Sequence, residues 1–392
     1  MRQHRPEVAD VIRKFGDRYL RQWSPAGSSL RILRDLVRCR TAALGGHKRV
    51  CDRCAHEEIS YNSCRNRHCP KCQASARARW VDQRSADLLE VPYFHVVFTL
   101  PDAFASLVVH NRRRLYGTLF RAAAHTLLTI GRDPKHLGAE IGFLAVLHTW
   151  NQKLLLHPHI HCVVAGGGLA PDHHRWVSCR SERFFLPVRV LSALFRGKFL
   201  AYLDHDYHAG RLHLPASLED PNEWSSWLGQ QRRRNWVVYA KPPFGGPTQV
   251  LKYLARYTHR VAIDNSRILA LDDREVAFRW KDRAHQNQPR TMQIEGTEFL
   301  RRFLLHQLPA GFVRIRYYGF LANRVRRTTL PQIRHLLHTP PTPEENLEAH
   351  SEPEPWPCPR CRRGTLRWTK NIDPVRPPTR APPFLPLDLE AA

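Results

Sequence analysis

Between Leu154 and Val164 the chain reads Leu-Leu-Leu-His-Pro-His-Ile-His-Cys-Val-Val, and no other stretch narrows the fold as much. The run is apolar and ends in β-branched residues, which predicts a strand. Residues two apart on a strand share a face, so His157, His159 and His161 project together while Ile160 and Cys162 face the core. Gly166, Gly167 and Gly168 are then expected to turn the chain. A core strand gains nothing from three imidazoles on one face, whereas a metal site does, since imidazole is the commonest protein ligand. The competing reading is a half-exposed strand with solvated histidines.

Cys51-Asp52-Arg53-Cys54 and Cys69-Pro70-Lys71-Cys72 are two Cys-x-x-Cys knuckles fourteen residues apart. Each can offer two thiolates from one tight turn, and together they predict a structural zinc on Cys51, Cys54, Cys69 and Cys72. Cys39, His47, Cys64 and His68 remain in the same tract and make a complete Cys2His2 set for a second zinc. The alternative leaves Cys64 in the core and His68 against phosphate or water. Arg65 and Arg67, with further basic residues nearby, suggest a DNA-docking module held rigid by metal. Cys358 and Cys361 form one more knuckle without an obvious partner pair: half a site, or none.

A formal charge of +26 over 392 residues, with arginine outnumbering lysine, points to a polyanionic partner rather than a small-molecule substrate. Aromatic residues scattered among the basic ones suit single-stranded nucleic acid. No apolar run approaches the roughly 20 residues of a membrane span. The amino terminus opens a helical pattern rather than a leader, and cysteines clustered in such a chain argue for a reducing compartment and metal binding. The expected location is therefore the cytoplasm, at the nucleoid.

Apolar spacing predicts two amphipathic helices over residues 7–37, a basic helix over 73–89, and a strand over 93–100. Helix is expected over 103–130, strand over 141–150, helix over 185–203, and strand over 236–240. A charged, Trp-containing connection precedes that last strand. Short strands are expected over 261–294, with Asp272-Asp273 as a turn, and helix over 299–308. The Pro- and Glu-rich tail from about residue 339 reads as flexible.

Pro247 suits the first position of a helix running to about Tyr257. On it Tyr253 and Tyr257, four apart, share one face. Tyrosine can serve as a covalent nucleophile, and attack on a phosphodiester needs the phosphate's charge neutralised, as a divalent metal does. Lys252, Arg256 and Arg260 add positive charge. The bland alternative is two aromatic rings packing at helical spacing.

His159-Ile160-His161 resembles the histidine motif of HUH endonucleases, and Tyr253 and Tyr257 resemble the paired nucleophiles of their two-tyrosine branch. The cysteine tract with Asn66-Arg67-His68-Cys69-Pro70-Lys71-Cys72, Phe98-Thr99-Leu100-Pro101, and Tyr318-Gly319-Phe320-Leu321-Ala322-Asn323 is similar to the IS91 family of rolling-circle transposases. That resemblance implies an α+β protein: a ferredoxin-like HUH catalytic domain at 91–338, with an antiparallel sheet and flanking helices. A small helical zinc-binding domain at 1–90 would precede it, and a tail at 339–392 would follow. It implies cleavage and rejoining of single-stranded DNA at element ends and target site, through a 5′-phosphotyrosine. Tyr253 and Tyr257 would be the nucleophiles, and Mg²⁺ or Mn²⁺ would sit on His159, His161 and a third ligand. Gln152, seven residues before His159, resembles that ligand by offset; Gln249 competes. A replication initiator or relaxase shares the chemistry, although no phosphate-loop motif of a fused helicase occurs. A non-catalytic zinc-dependent nucleic-acid binder is the rival of another class.

Overall fold

The computed structural model describes residues 5–85, 87–180, 186–241, 262–282, 285–339 and 356–375. They form two compact units, one of residues 1–76, 259–307 and 343–392 and the other of 77–258 and 308–342. The units interleave along the chain, where the sequence predicted consecutive domains breaking after residues 90 and 338.

The second unit alternates strands and helices. Strand Tyr93–Thr99 leads through helices Ala105–His110 and Arg112–Arg132 to strand Glu140–Trp150. A hairpin returns as strand Leu156–Leu169, and helices Val188–His208 and Pro221–Arg233 lead to strand Val238–Lys241. The sheet order is Ile315–Gly319, Glu140–Trp150, Leu156–Leu169, Tyr93–Thr99, Val238–Lys241, every neighbour antiparallel. The first two long strands thus have the third inserted between them, which is the β-α-β-β-α-β ferredoxin-like arrangement. The α+β expectation stands.

Alternation then sorts the sheet's side chains. Phe94, Val96, Phe98, Phe143, Ala145, Leu147, Ile160, Cys162 and Val164 lie in one buried core with Leu119, Phe120, Phe195 and Phe199 from the helices. Each Val, Leu, Ile or Phe so buried contributes about 1.5–3 kcal/mol. The opposite face carries Leu144, Val146, Val163 and Ala165, covered by Phe320, Leu330 and Ile333. The chain after residue 203, expected as a connection, holds the helix Pro221–Arg233. Asp220 caps it, its Oδ1 accepting from the N–H of Asn222 at 2.8 Å and Glu223 at 3.1 Å, with proline in the first turn.

Gly166–Gly168 do not turn the chain; they continue the strand. A Cβ on Gly168 would stand 2.6 Å from the Glu140 carbonyl oxygen, and one on Gly166 2.8 Å from that of Pro92. The glycines serve backbone approach on both sides. The Tyr318–Asn323 motif is also structural. Gly319 (φ +61°) ends the edge strand where any Cβ would collide with the Ile141 carbonyl. Phe320 then lies over Gly142, within 2.5 Å of where a Cβ would be.

In the first unit, helix Val8–Gln22 buries Val8, Val11, Ile12, Phe15 and Tyr19 along one stripe, as its spacing predicts. It packs on helix Gly296–Leu305, where Gly296 leaves room for the Phe15 ring. Strands Ile268–Leu271, Glu275–Asp282 and Gln288–Glu295 form a meander, with Asp272 in the turn accepting from the N–H of Arg274 and Glu275. The unit is not simply helical. Strands Gly46–Cys51 and Glu57–Tyr61 join Trp356–Pro357 and Thr365–Ile372 in a four-stranded sheet, so residues 365–372 of the expected flexible tail are strand. Among the described residues no helix is long and apolar enough to cross a membrane.

Replacing Gly319 by alanine forces both a left-handed backbone and a backbone clash. We expect Gly319→Ala to lower stability by about 1–3 kcal/mol, read as a lower urea midpoint, whereas Gly311→Ala, at φ +66° but in open space, should cost less.

Candidate active site and metal centres

On Leu156–Leu169, His159 and His161 share the face of Val163 and Ala165, and both are buried. Register puts His148 of Glu140–Trp150 directly opposite His159, and such cross-strand partners bring side chains together on one face. His148, His159 and His161 each offer a ring nitrogen within 4.8 Å of the others. Their ring centroids are 4.4 to 5.4 Å apart.

His157 stands apart from this trio. The register slips between His148 and Trp150, so that Thr149 faces both His157 and Pro158 on the other strand. The extra residue breaks the period of two, and His157 Nδ1 lies 3.4 Å from Asp102 Oδ1. Gln152 lies in the hairpin turn, where Asn151 Oδ1 accepts from the N–H of Lys153 and Leu155. The third nitrogen beside the pair is that of His148, which sequence reasoning missed. The signal was present: on the strand predicted over 141–150, Leu144, Val146 and His148 alternate onto one face, a short hairpin away from His159.

The trio is oriented from outside. His159 Nδ1 lies 2.7 Å from the His157 carbonyl oxygen, to which it donates, and His161 Nδ1 lies 2.8 Å from His95 Nε2. The His95 and His161 rings are nearly coplanar (5°) with centroids 5.0 Å apart, the separation of an in-plane N–H···N bond rather than a stack. Burial, helped by the charge of Lys241 in the paired position on the neighbouring strand, holds the His95 pKa down at about 4. Burial thus favours neutral His95, and across the 2.8 Å contact one of the two rings donates and the other accepts. Each of the His159 and His161 rings thus engages Nδ1 with a group behind it, the usual division of labour between metal ligands and their supports.

Tyr253 and Tyr257, with Gln249, Lys252, Arg256 and Arg260, lie outside the described residues. The chain before them is described as far as Lys241, opposite His95.

The cysteines group differently from the sequence expectation. Cys39, Cys64, Cys69 and Cys72 form one quartet, and Cys51 and Cys54 stand with Cys358 and Cys361 in another. Cys51 and Cys54 are thus not brought to Cys69 and Cys72. The reason is local: Cys39 ends helix Gly27–Arg38 and Cys69 and Cys72 open helix Pro70–Ser85, while Cys51 and Cys54 occupy the turn of a separate hairpin. In the first quartet Cys72 Sγ is 3.5 Å from Cys39 Sγ and 3.6 Å from Cys64 Sγ. Bonds from Cys64 and Cys69 hold the Cys39 thiol far below the ordinary cysteine range. Neither histidine of the expected Cys2His2 set belongs to a quartet. His68 is buried against Asn66, whose Oδ1 accepts its N–H at 2.9 Å, and His47 Nε2 lies 3.4 Å from Arg49 Nη2. Arg65 is exposed, whereas burial lowers the pKa of the half-buried Arg67.

Two family models match the chain, one described as "Transposase zinc-binding domain" over residues 11–100 and one as "Putative transposase" over 142–329. The matches are those of a transposase, a DNA-processing enzyme. Over 389 residues the chain is 50% identical to "Putative transposase y4qJ" of Sinorhizobium fredii (strain NBRC 101917 / NGR234), covering 96% of this chain and 98% of that one. It is 30% identical to "Transposase for insertion sequence element IS801" of Pseudomonas savastanoi pv. phaseolicola, over 79% of this chain and 75% of the other. Among solved structures, the conjugative relaxase TrwC with oriT DNA shares 12% identity at a TM-score of 0.23, over 42% of this chain and 71% of that one, a superposition too loose to pair residues. The chain belongs to the IS91 family of transposases.

If His95 fixes the His161 ring, His95→Phe should weaken Mn²⁺ binding about 10–100-fold, measured by calorimetry, with the fold intact by circular dichroism. His95→Asn, which keeps a polar group at that position, should recover part of the loss.

Proposed function

We propose that this transposase cuts and rejoins single-stranded DNA by tyrosine transesterification during rolling-circle transposition, with His148, His159 and His161 holding a divalent cation. The observation that carries the reading is the convergence of three buried ring nitrogens on adjacent strands, two of them oriented by groups behind them. The residues fit such an ion: the donors are nitrogen, and three protein ligands leave further coordination positions for oxygen. Imidazole ligands favour Mn²⁺, while cellular supply and phosphate chemistry favour Mg²⁺. When bound, the ion would draw negative charge from the scissile phosphate.

The chain's own residues supply the rest. We assign Tyr253 and Tyr257 as nucleophiles. The phenolic oxygen bonds to phosphorus and loses its proton, the bond from phosphorus to the 3′ oxygen breaks, and the 3′ oxygen gains a proton. The products are a 5′-phosphotyrosine and a free 3′-hydroxyl, which later reverses the exchange on another strand without an external energy source. Two tyrosines allow one strand to be cut while another is held. Lys252, Arg256 and Arg260 from the same tract, and Arg65 from the cysteine tract, would contact phosphate, in keeping with a net charge of +26. Zinc in the Cys39, Cys64, Cys69 and Cys72 quartet would be structural, since four protein ligands leave no open position.

The test uses single-stranded element-end DNA labelled on the 3′ side of the cut, incubated with the protein and Mn²⁺ or Mg²⁺. The label should migrate with the protein after denaturation, and Tyr253→Phe/Tyr257→Phe should abolish this. His161→Ala should reduce it by at least a hundredfold. Adduct at the wild-type level in the double tyrosine variant would sink the assignment, and no adduct with any metal would leave a zinc-dependent DNA binder as the better description.

A further inference from the structure

We propose that Cys51, Cys54, Cys358 and Cys361 form a second structural zinc site, which joins two parts of the chain some three hundred residues apart into one zinc ribbon.

The two knuckles have the same shape. In each, the residue after the second cysteine returns its N–H to the carbonyl of the first: Ala55 to Cys51 at 3.2 Å and Arg362 to Cys358 at 2.9 Å. Both of those residues have positive φ, 54° and 57°. In each, the N–H of the first cysteine closes the hairpin, onto His56 at 2.9 Å and Gly364 at 2.8 Å. Strand Thr365–Ile372 pairs along Gly46–Cys51, with Leu366 opposite Cys51, so both knuckles hang from the same end of one sheet. Asp52 ties them, its Oδ1 accepting from the Thr365 N–H at 2.9 Å while its own N–H donates to the Thr365 carbonyl at 3.1 Å.

Sulfur spacing separates zinc from a disulfide. A tetrahedron with Zn–S of about 2.3 Å has sulfur–sulfur edges of about 3.8 Å, whereas a disulfide needs about 2.05 Å. Cys51 Sγ to Cys361 Sγ and Cys54 Sγ to Cys358 Sγ are both 3.7 Å. Backbone N–H groups also point at the sulfurs, Arg53 to Cys51 at 3.4 Å and Gly364 to Cys361 at 3.3 Å, as thiolates require. Gly364 is needed for space, because a Cβ there would lie 2.5 Å from Cys51 Sγ. The buried cluster around the sulfurs contains a single ordinary hydrophobe, Leu366, too little apolar surface to hold two hairpin ends together. A metal supplies what the core lacks.

The test is metal analysis of the purified full chain and three variants. Cys358→Ser/Cys361→Ser should hold one zinc fewer than wild type, and Cys51→Ser/Cys54→Ser likewise. All four changes together should still cost only one, because the pairs share a site. Unchanged zinc on losing Cys358 and Cys361, or a second equivalent lost in the fourfold variant, would overturn the site. Wild type loaded with Co²⁺ gives a readout independent of variant folding. Its thiolate charge-transfer intensity should correspond to two four-sulfur sites per chain, and intensity for one site would refute the proposal. DNA cleavage enters neither measurement, so the result stands apart from the catalytic reading.

Discussion

Strand Leu156–Leu169 is hydrogen-bonded on both sides, to Glu140–Trp150 and to Tyr93–Thr99. That double pairing fixes its period of two. Slipping by one residue would turn Ile160, Cys162 and Val164 out of a core with Phe94, Phe98, Phe143 and Phe195, and would put His159 and His161 in their place. Losing three such burials would cost several kcal/mol at about 1.5–3 kcal/mol each, with the cost of imidazoles among aromatic rings added. The apolar face therefore holds the histidine face in register, and the same ladder delivers His148 and His95 to its two sides.

This arrangement explains how a site can be rigid without many bonds of its own. His159 is turned by the carbonyl of His157, a residue displaced from the histidine row by the bulge opposite Thr149. His161 is turned by His95, itself held neutral by burial and by the charge of Lys241. The bulge that removes His157 from the row thus sets up its carbonyl as a support.

Periodicity made the main strands and helices of both units legible, because burial on one or both faces imposes it. The histidine row, the helices over 8–22 and 27–38, and the strand over 140–150 all show it. What spacing could not show was pairing between elements. His148 is one histidine in an apolar run until the hairpin register puts it opposite His159. Gly166–Gly168 look like a turn because glycine marks both turns and close backbone approach, and only neighbouring strands tell the two apart. Helix Pro221–Arg233 was hidden by its charged surface, although Asp220-Pro221 is a cap signal. The cysteines posed the hardest version of the problem. Four sulfurs close in sequence suggest one site, but a knuckle takes whichever partner the backbone brings, and strand pairing brought Cys358 and Cys361.

The second cysteine quartet and the histidine trio sit in different packing. The quartet of Cys51, Cys54, Cys358 and Cys361 lies where little apolar surface is buried, around Leu366 alone, so an ion on four protein ligands would supply there the stability that packing does not. The histidine trio lies on two inner strands of a sheet already stabilised by two apolar clusters. That packing supports the sheet there, and three nitrogen ligands would leave coordination positions open. Three buried imidazoles that the packing does not require, two of them held from behind, suit the ion-holding role proposed for them.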